Sequence, residues 1–305
     1  MSLEKYLAEL CDESKPLVSP KLANLSALSP EEQRLFLEAW AKMGFKRRRQ
    51  IASRLVELAE ENFKLNFDDT FLTCLQDPDE IVRVKSIEGL WECENRYLID
   101  PLITMLREDS KESVRAAAAI ALGKFAMLAE LGKLRPDEGA KVERALLDVI
   151  DDQEEQLEVR RRAIEAIAPL SLPKVTEIIQ QAYQSDDPRI RVSAIYAMGR
   201  NSDPAWLPML VKELSSPDAE IRFEAAGACG ELGEESAMPH LARLIHDLDS
   251  QVQLSAIAAL GQIGGSEAEA ALQECLNHPN EHIRQAAGEA LEELGLGKDP
   301  FSFRL

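Results

Sequence analysis

The sequence predicts an all-α protein, an α-α superhelix assembled from stacked helical hairpins. Three observations predict it. Residue columns return about every 31 positions, they keep helical phase, and the apolar residues are mostly small aliphatics rather than aromatics, which make up 5% of the chain.

The defining column is Arg83, Arg115, Arg160, Arg191, Arg222, Gln253 and Arg284, and its last five members are each 31 residues apart. The first gap is 32 and the second is 45, which places an insertion near residues 126–139. Just before the column stand Val82, Val114, Val159, Ile190, Ile221, Val252 and Ile283, all β-branched. Three residues after it stand Ser86, Ala118, Ala163, Ala194, Ala225, Ala256 and Ala287, all small. Seven residues after it come Leu90, Leu122, Ile167, Met198, Cys229, Leu260 and Leu291. Offsets of −1, +3 and +7 share one face of an α-helix, so each repeat opens with an amphipathic helix.

The flanks of that helix are readable too. Asp79, Asp187, Asp218, Asp249 and Asn280 lie four residues before the column, where N-cap residues belong. Gly233, Gly264 and Gly295 lie eleven after it, where a left-handed C-cap is expected, and Gly123, Gly199, Gly230 and Gly261 recur near the helix end. A second helix fills each repeat, over 204–215, 236–246 and 267–277. Neither helix can bury its apolar stripe alone, so neighbouring hairpins must stack.

These units resemble the HEAT-like repeats of the phycobilisome-lyase type, which read Asp-Pro-x-x-x-Val-Arg-x-x-Ala-x-x-x-Leu-Gly. Asp187-Pro-Arg-Ile-Arg-Val-Ser-Ala-Ile-Tyr-Ala-Met-Gly199 and Asp218-Ala-Glu-Ile-Arg-Phe-Glu-Ala-Ala-Gly-Ala-Cys-Gly230 carry the likeness, which covers residues 77–295. The resemblance implies a HEAT-repeat solenoid. It says little about activity, because one repeat type serves many functions. The array is expected over 76–296, followed by a tail, 297–305. Residues 1–75 read as an N-terminal helical cap. Within it Ser29-Pro-Glu-Glu is a capping-box start, and Arg48, Ile51 and Leu55 repeat the columns weakly, with Arg47 where a β-branched residue belongs.

Charge and chemistry narrow the function. The net charge is −19, and residues 1–75 hold 12 acids against 11 bases, so the repeats carry the acidity. Such a surface repels phosphate backbones, and nucleic acid is not expected as a partner. Five scattered cysteines without a CxxC pair read as buried thiols. No basic n-region with an apolar h-region follows Met1, and no run of about 18 apolar residues occurs, so a cytoplasmic chain with no membrane partner is expected. His240, His246, His278 and His282 are not arranged as metal ligands, and no His-Glu pair of the kind known from deoxyhypusine hydroxylase is present. No catalytic residues, metal or cofactor are expected. The leading reading is a scaffold that binds another protein on its concave face. The alternative implied by the resemblance is a phycobilin lyase or chaperone for tetrapyrrole attachment.

Two groups of residues are assigned roles. Arg83, Arg115, Arg160, Arg191, Arg222 and Arg284 are expected to form a structural ladder, each pairing with the cap aspartate of a neighbouring repeat, such as Asp187, Asp218 or Asp249, and with helix-end carbonyls. The second helices are expected to line the concave surface. There Trp206, Met209, Lys212, His240, Arg243 and Glu274 form the candidate partner-binding strip.

Overall fold

A computed structural model describes residues 2–298, without the side chains of 296–298, so most of the expected tail lies outside the described residues. The chain forms two compact units, residues 1–163 and 164–305. Among the described residues every regular element is helical.

In the first unit α1 (Leu3–Cys11) and α2 (Pro30–Trp40) precede α3 (Phe45–Glu61), α4 (Asp68–Cys74) and α5 (Glu80–Gly89). Then come α6 (Ile99–Glu108), α7 (Glu112–Glu130) and α8 (Pro136–Asp151), and α9 (Leu157–Ile167) crosses the division. The second unit continues with α10 (Pro173–Tyr183), α11 (Pro188–Asn201), α12 (Leu207–Glu213) and α13 (Ala219–Leu232). It ends with α14 (Met238–Leu244), α15 (Ser250–Ile263), α16 (Ser266–Cys275) and α17 (Glu281–Lys298). The column helices are the odd-numbered α5 to α17, and the even-numbered α6 to α16 are their hairpin partners.

Burial follows the sequence columns closely. Every member of the β-branched column and of the small column is buried, and in the +7 column only Leu291 is partly exposed. The cap column also acts as expected: Asp79, Asp187, Asp218 and Asp249 each accept a hydrogen bond from the backbone N–H two residues on. In the N-terminal region the Ser29 capping box forms with Glu32, and Ile51 and Leu55 are buried. Arg47 is buried as well. Its guanidinium reaches the Asp12 and Lys15 carbonyls, which satisfies a charge where the other repeats place an aliphatic residue.

Three details refine the sequence reading. The extra residues near 126–139 are largely helical, because α7 runs 19 residues before a turn at Gly132 and α8 starts at Pro136. Gly233 and Gly264 do cap helices with positive φ, and Ser202 takes the left-handed cap in the preceding repeat, but α17 continues through Gly295. Gly199, Gly230 and Gly261 lie near helix ends as expected, Gly123 lies inside α7, and the first three also let helices approach closely. A Cβ on Gly199 would stand 2.7 Å from the Cα of Ala228, one on Gly230 2.7 Å from the Cα of Ala259, and one on Gly261 3.0 Å from the Cβ of Ala290. In the second unit α11, α13, α15 and α17 thus stack backbone against backbone, whereas α12, α14 and α16 touch one another far less. The close helix–helix approaches of this unit are therefore between column helices, and not between the second helices expected to line the concave surface.

Candidate functional site

The ladder exists in part and with different acids from those expected: Arg83, Arg115 and Arg222 form rungs, whereas Arg160 and Arg191 each have a buried Nε without a partner. Arg83 Nε and Nη2 each donate at 2.8 Å to the Asp109 carboxylate, and Nη1 donates at 2.8 Å to the Asp77 carbonyl. Arg222 repeats this with the Asp247 carboxylate and the Ser216 carbonyl, every bond at 2.8 Å. Arg115 binds Glu155 in the same two-pronged way, at 2.9 and 2.7 Å, and donates to the Asp109 carbonyl. In the N-terminal region Arg48 pairs with Asp77 at 3.0 Å.

The bidentate acid in two of these rungs stands two residues before the next helix cap, and Asp77 holds the same place. Asp187, Asp218 and Asp249 are occupied with their own helix N-termini and do not bridge repeats. Burial disfavours a lone charge, so the two-residue offset lets one acid cap and another bridge. Arg222 and Arg115 are raised above the ordinary guanidinium range, chiefly by hydrogen bonds to Asp247 and Glu155, and Asp247 is correspondingly lowered. Arg284 keeps the carbonyl contacts, to His278 and Pro279.

The second-helix strip divides. Trp206 is only 3% exposed and its indole N–H donates at 2.9 Å to Asn201 Oδ1, so it is a core residue and not a surface anchor. Its place at the start of α12 turns the ring into the hairpin, against the expectation. Met209 and His240 are half-buried, while Lys212, Arg243 and Glu274 are exposed. Lys212 lies 5.8 Å from the centre of the Tyr183 ring, and Glu274 pairs with His246 at 3.4 Å.

A different surface stands out in the first unit. A groove of about 580 Å³ runs over Val56 and Glu60 of α3, Ile87 and Glu88 of α5, and Ala117, Ile120, Ala121 and Lys124 of α7, with Trp91 at its edge. Its floor is apolar, and Trp91 and Ile120 stand 60% and 55% exposed above it. Lys124 Nζ donates to the carbonyls of Leu90, Trp91 and Cys93, which fixes the turn that carries the indole. Removal of that amine from water pulls its pKa below the usual lysine range.

The signal for these residues lay in the columns. Ile120 is apolar five residues after Arg115, out of phase with the buried face, where other repeats carry Glu88, Glu165 and Glu289. Trp91 stands eight after Arg83, where four other repeats have glycine.

Among the described residues no group of three or more His, Cys, Asp or Glu side chains is placed to hold a metal, and no helix is long and apolar enough to cross a membrane.

Comparison with known proteins agrees with this architecture. A family model of HEAT repeats matches residues 69–148, 142–212, 175–252 and 241–300. The complex of CpcE and CpcF of phycocyanin lyase from Nostoc is similar in structure, at 18% identity and a TM-score of 0.57 over 93% of this chain and 97% of that one. YibA of Escherichia coli is similar at 20% identity and a TM-score of 0.45, covering 77% and 96%. Human deoxyhypusine hydroxylase is similar at 16% identity and a TM-score of 0.38, covering 96% and 97%. At such identities the likeness concerns the fold. No curated protein sequence matches.

Proposed function

Since the chain belongs to the HEAT-repeat family, we propose that it works as a scaffold that captures another protein, and that the captured segment lies in the groove across α3, α5 and α7. One observation carries this reading: two large apolar side chains, Trp91 and Ile120, project over a continuous apolar floor while tied to rigid helices. Exposed apolar surface of this kind marks an interaction site, and aromatic anchors concentrate binding energy. The groove suits an amphipathic helix lying across the three repeats, its apolar face inward. Glu60 and Glu88 favour basic residues along its edges.

The test is capture of the partner by the full chain. Trp91→Ala and Ile120→Arg should each weaken it by about ten- to a hundredfold. Both side chains are exposed, so the melting temperature should stay within about 2 °C of the parent. Met209, Lys212, His240, Arg243 and Glu274 supply the comparison surface. Undiminished capture by both groove variants, with loss on Arg243→Glu, would move the binding site to the second helices.

A second reading, attachment of an open-chain tetrapyrrole, is supported by the fold likeness to phycocyanin lyase and by the same apolar groove. Its test is spectroscopic. On the scaffold reading, chain mixed with phycocyanobilin shows the absorbance of the free pigment. A saturable red shift that Trp91→Ala abolishes would favour the lyase reading instead.

A further inference from the structure

The ladder is open in more than one place: Arg160 and Arg191 each bury an Nε without a partner, and Arg191 also lines a cavity. Six residues before each of several column positions, the sequence reads Asp77, Asp109, Ser185, Ser216, Asp247 and His278. These side chains turn the same way. Asp247 Oδ1 accepts from the Asp249 N–H at 2.9 Å, Asp109 Oδ1 from Lys111 at 2.9 Å, and Ser216 Oγ from Asp218 at 3.3 Å. In the aspartates the carboxylate also grips the column arginine of the preceding repeat. A serine hydroxyl is too short and carries no charge. The arginine that should meet Ser216 is Arg191.

Arg191 makes none of the bonds of its counterparts. Arg83, Arg115 and Arg222 each hold a carboxylate and the carbonyl six residues upstream, whereas Arg191 has neither contact and its Nε is buried without a partner. A buried donor left unmet is unfavourable. Beside it opens a cavity of about 670 Å³, lined by Arg191, Ser216, Tyr183 and Lys212 among others. Three acids also line it, Asp186, Glu213 and Asp218. Glu213 accepts the Tyr183 hydroxyl hydrogen bond and lies 3.4 Å from Lys212, so it is already engaged. Asp218 caps α13, as Asp249 caps α15 beside the filled Arg222–Asp247 rung, so a cap carboxylate does not exclude a bridging one.

We infer that Arg191 is an open rung, a binding site for a carboxylate brought by another polypeptide. An incoming Asp or Glu side chain seats on Nε and Nη2 of Arg191 as Asp247 does on Arg222, the bidentate pairing that guanidinium geometry favours. The cavity is far larger than one carboxylate, which leaves room for the peptide that carries it, with Lys212 beside it. This site goes beyond the groove on α3, α5 and α7, and neither depends on the other.

The experiment uses the full chain labelled with ¹⁵N-arginine, titrated at constant ionic strength with acetyl-Gly-Glu-Gly-amide and with its Gln counterpart. The Nε–Hε resonance lost in Arg191→Lys is expected to move saturably with the Glu peptide and not with the Gln peptide. Ser216→Asp supplies the missing carboxylate from within. In that variant the resonance should start near its bound position, affinity for the Glu peptide should fall at least tenfold, and the melting temperature should rise by a few degrees. The assignment is overturned by no response, by equal responses to both peptides, or by a Ser216→Asp chain that still binds like the parent. Tighter binding of free glutarate or inorganic phosphate than of the Glu peptide would overturn a polypeptide ligand in favour of a small anion. None of these readouts involves the captured partner, so failure of the groove reading leaves them unchanged.

Discussion

Trp206→Ala is expected to destabilise the second unit by about 3–5 kcal/mol, measured by denaturant unfolding followed by circular dichroism. The indole lies in the core, so its removal opens a large cavity. It also orphans a buried amide: Asn201 accepts from the indole through Oδ1 and donates through Nδ2 to the Ala168 carbonyl at 2.8 Å, tying the end of α11 to the end of α9 within the unit. Trp206→Phe separates the two effects. It restores most of the volume but leaves Asn201 Oδ1 unmet, for a cost of about 1–3 kcal/mol. A loss below about 1 kcal/mol for the alanine variant would return Trp206 to the surface role expected from sequence.

Asp247→Ala should cost about 3 kcal/mol, and Asp249→Ala, only two residues away, about 1. The first leaves the Arg222 guanidinium without its carboxylate in a largely buried position, and the second removes a helix cap. A double-mutant cycle with Arg222→Ala should return a coupling of 1 kcal/mol or more, since the two groups share one network. The pH dependence has a fixed sign. Hydrogen bonds from Arg222 hold the Asp247 carboxyl below its unfolded value. Its contribution is therefore complete above pH of about 4 and is lost as the pH falls toward the folded pKa. The parent should lose more stability than Asp247→Ala across that acid range. Equal acid sensitivity would show that the rung contributes nothing.

The repeat was legible because its columns are local. Val252, Ala256 and Leu260 share one turn-spaced face, and hydrophobic periodicity alone predicts their burial. The rungs were harder, because Arg222 meets a residue 25 positions away and Arg115 one 40 positions away across the elongated α7 and α8. Two acids, at −6 and −4, compete for the same role in sequence, and only the stacked geometry decides that Asp218 and Asp249 stay with their own helices while the cap acid Asp79 also takes Arg49. Trp206 was misplaced for a related reason. Its column position groups it with the second-helix strip, yet the short 3-10 turn of Pro204–Trp206 directs the ring inward. The groove is harder to read because its anchors show only as departures from the columns, Ile120 where other repeats carry Glu88, Glu165 and Glu289.

The uneven rungs give the second unit a distribution of spring constants. A stacked array behaves as a line of elements joined to their nearest neighbours, and its opening is governed by the weakest joint. The Arg222–Asp247 rung is a charged, two-pronged clamp between α13 and the repeat that begins with α15. The joints on either side of it lack such a clamp, one because the register sets Ser216 against Arg191, the other because Gln253 stands in the arginine column and His278 at the position of Asp247. The repeats of α13 and α15 therefore form a stiff pair between two compliant joints. A carboxylate built into position 216 of the following repeat would close the joint at Arg191 and extend that stiff block by one repeat, so that a single side chain sets how many repeats move together.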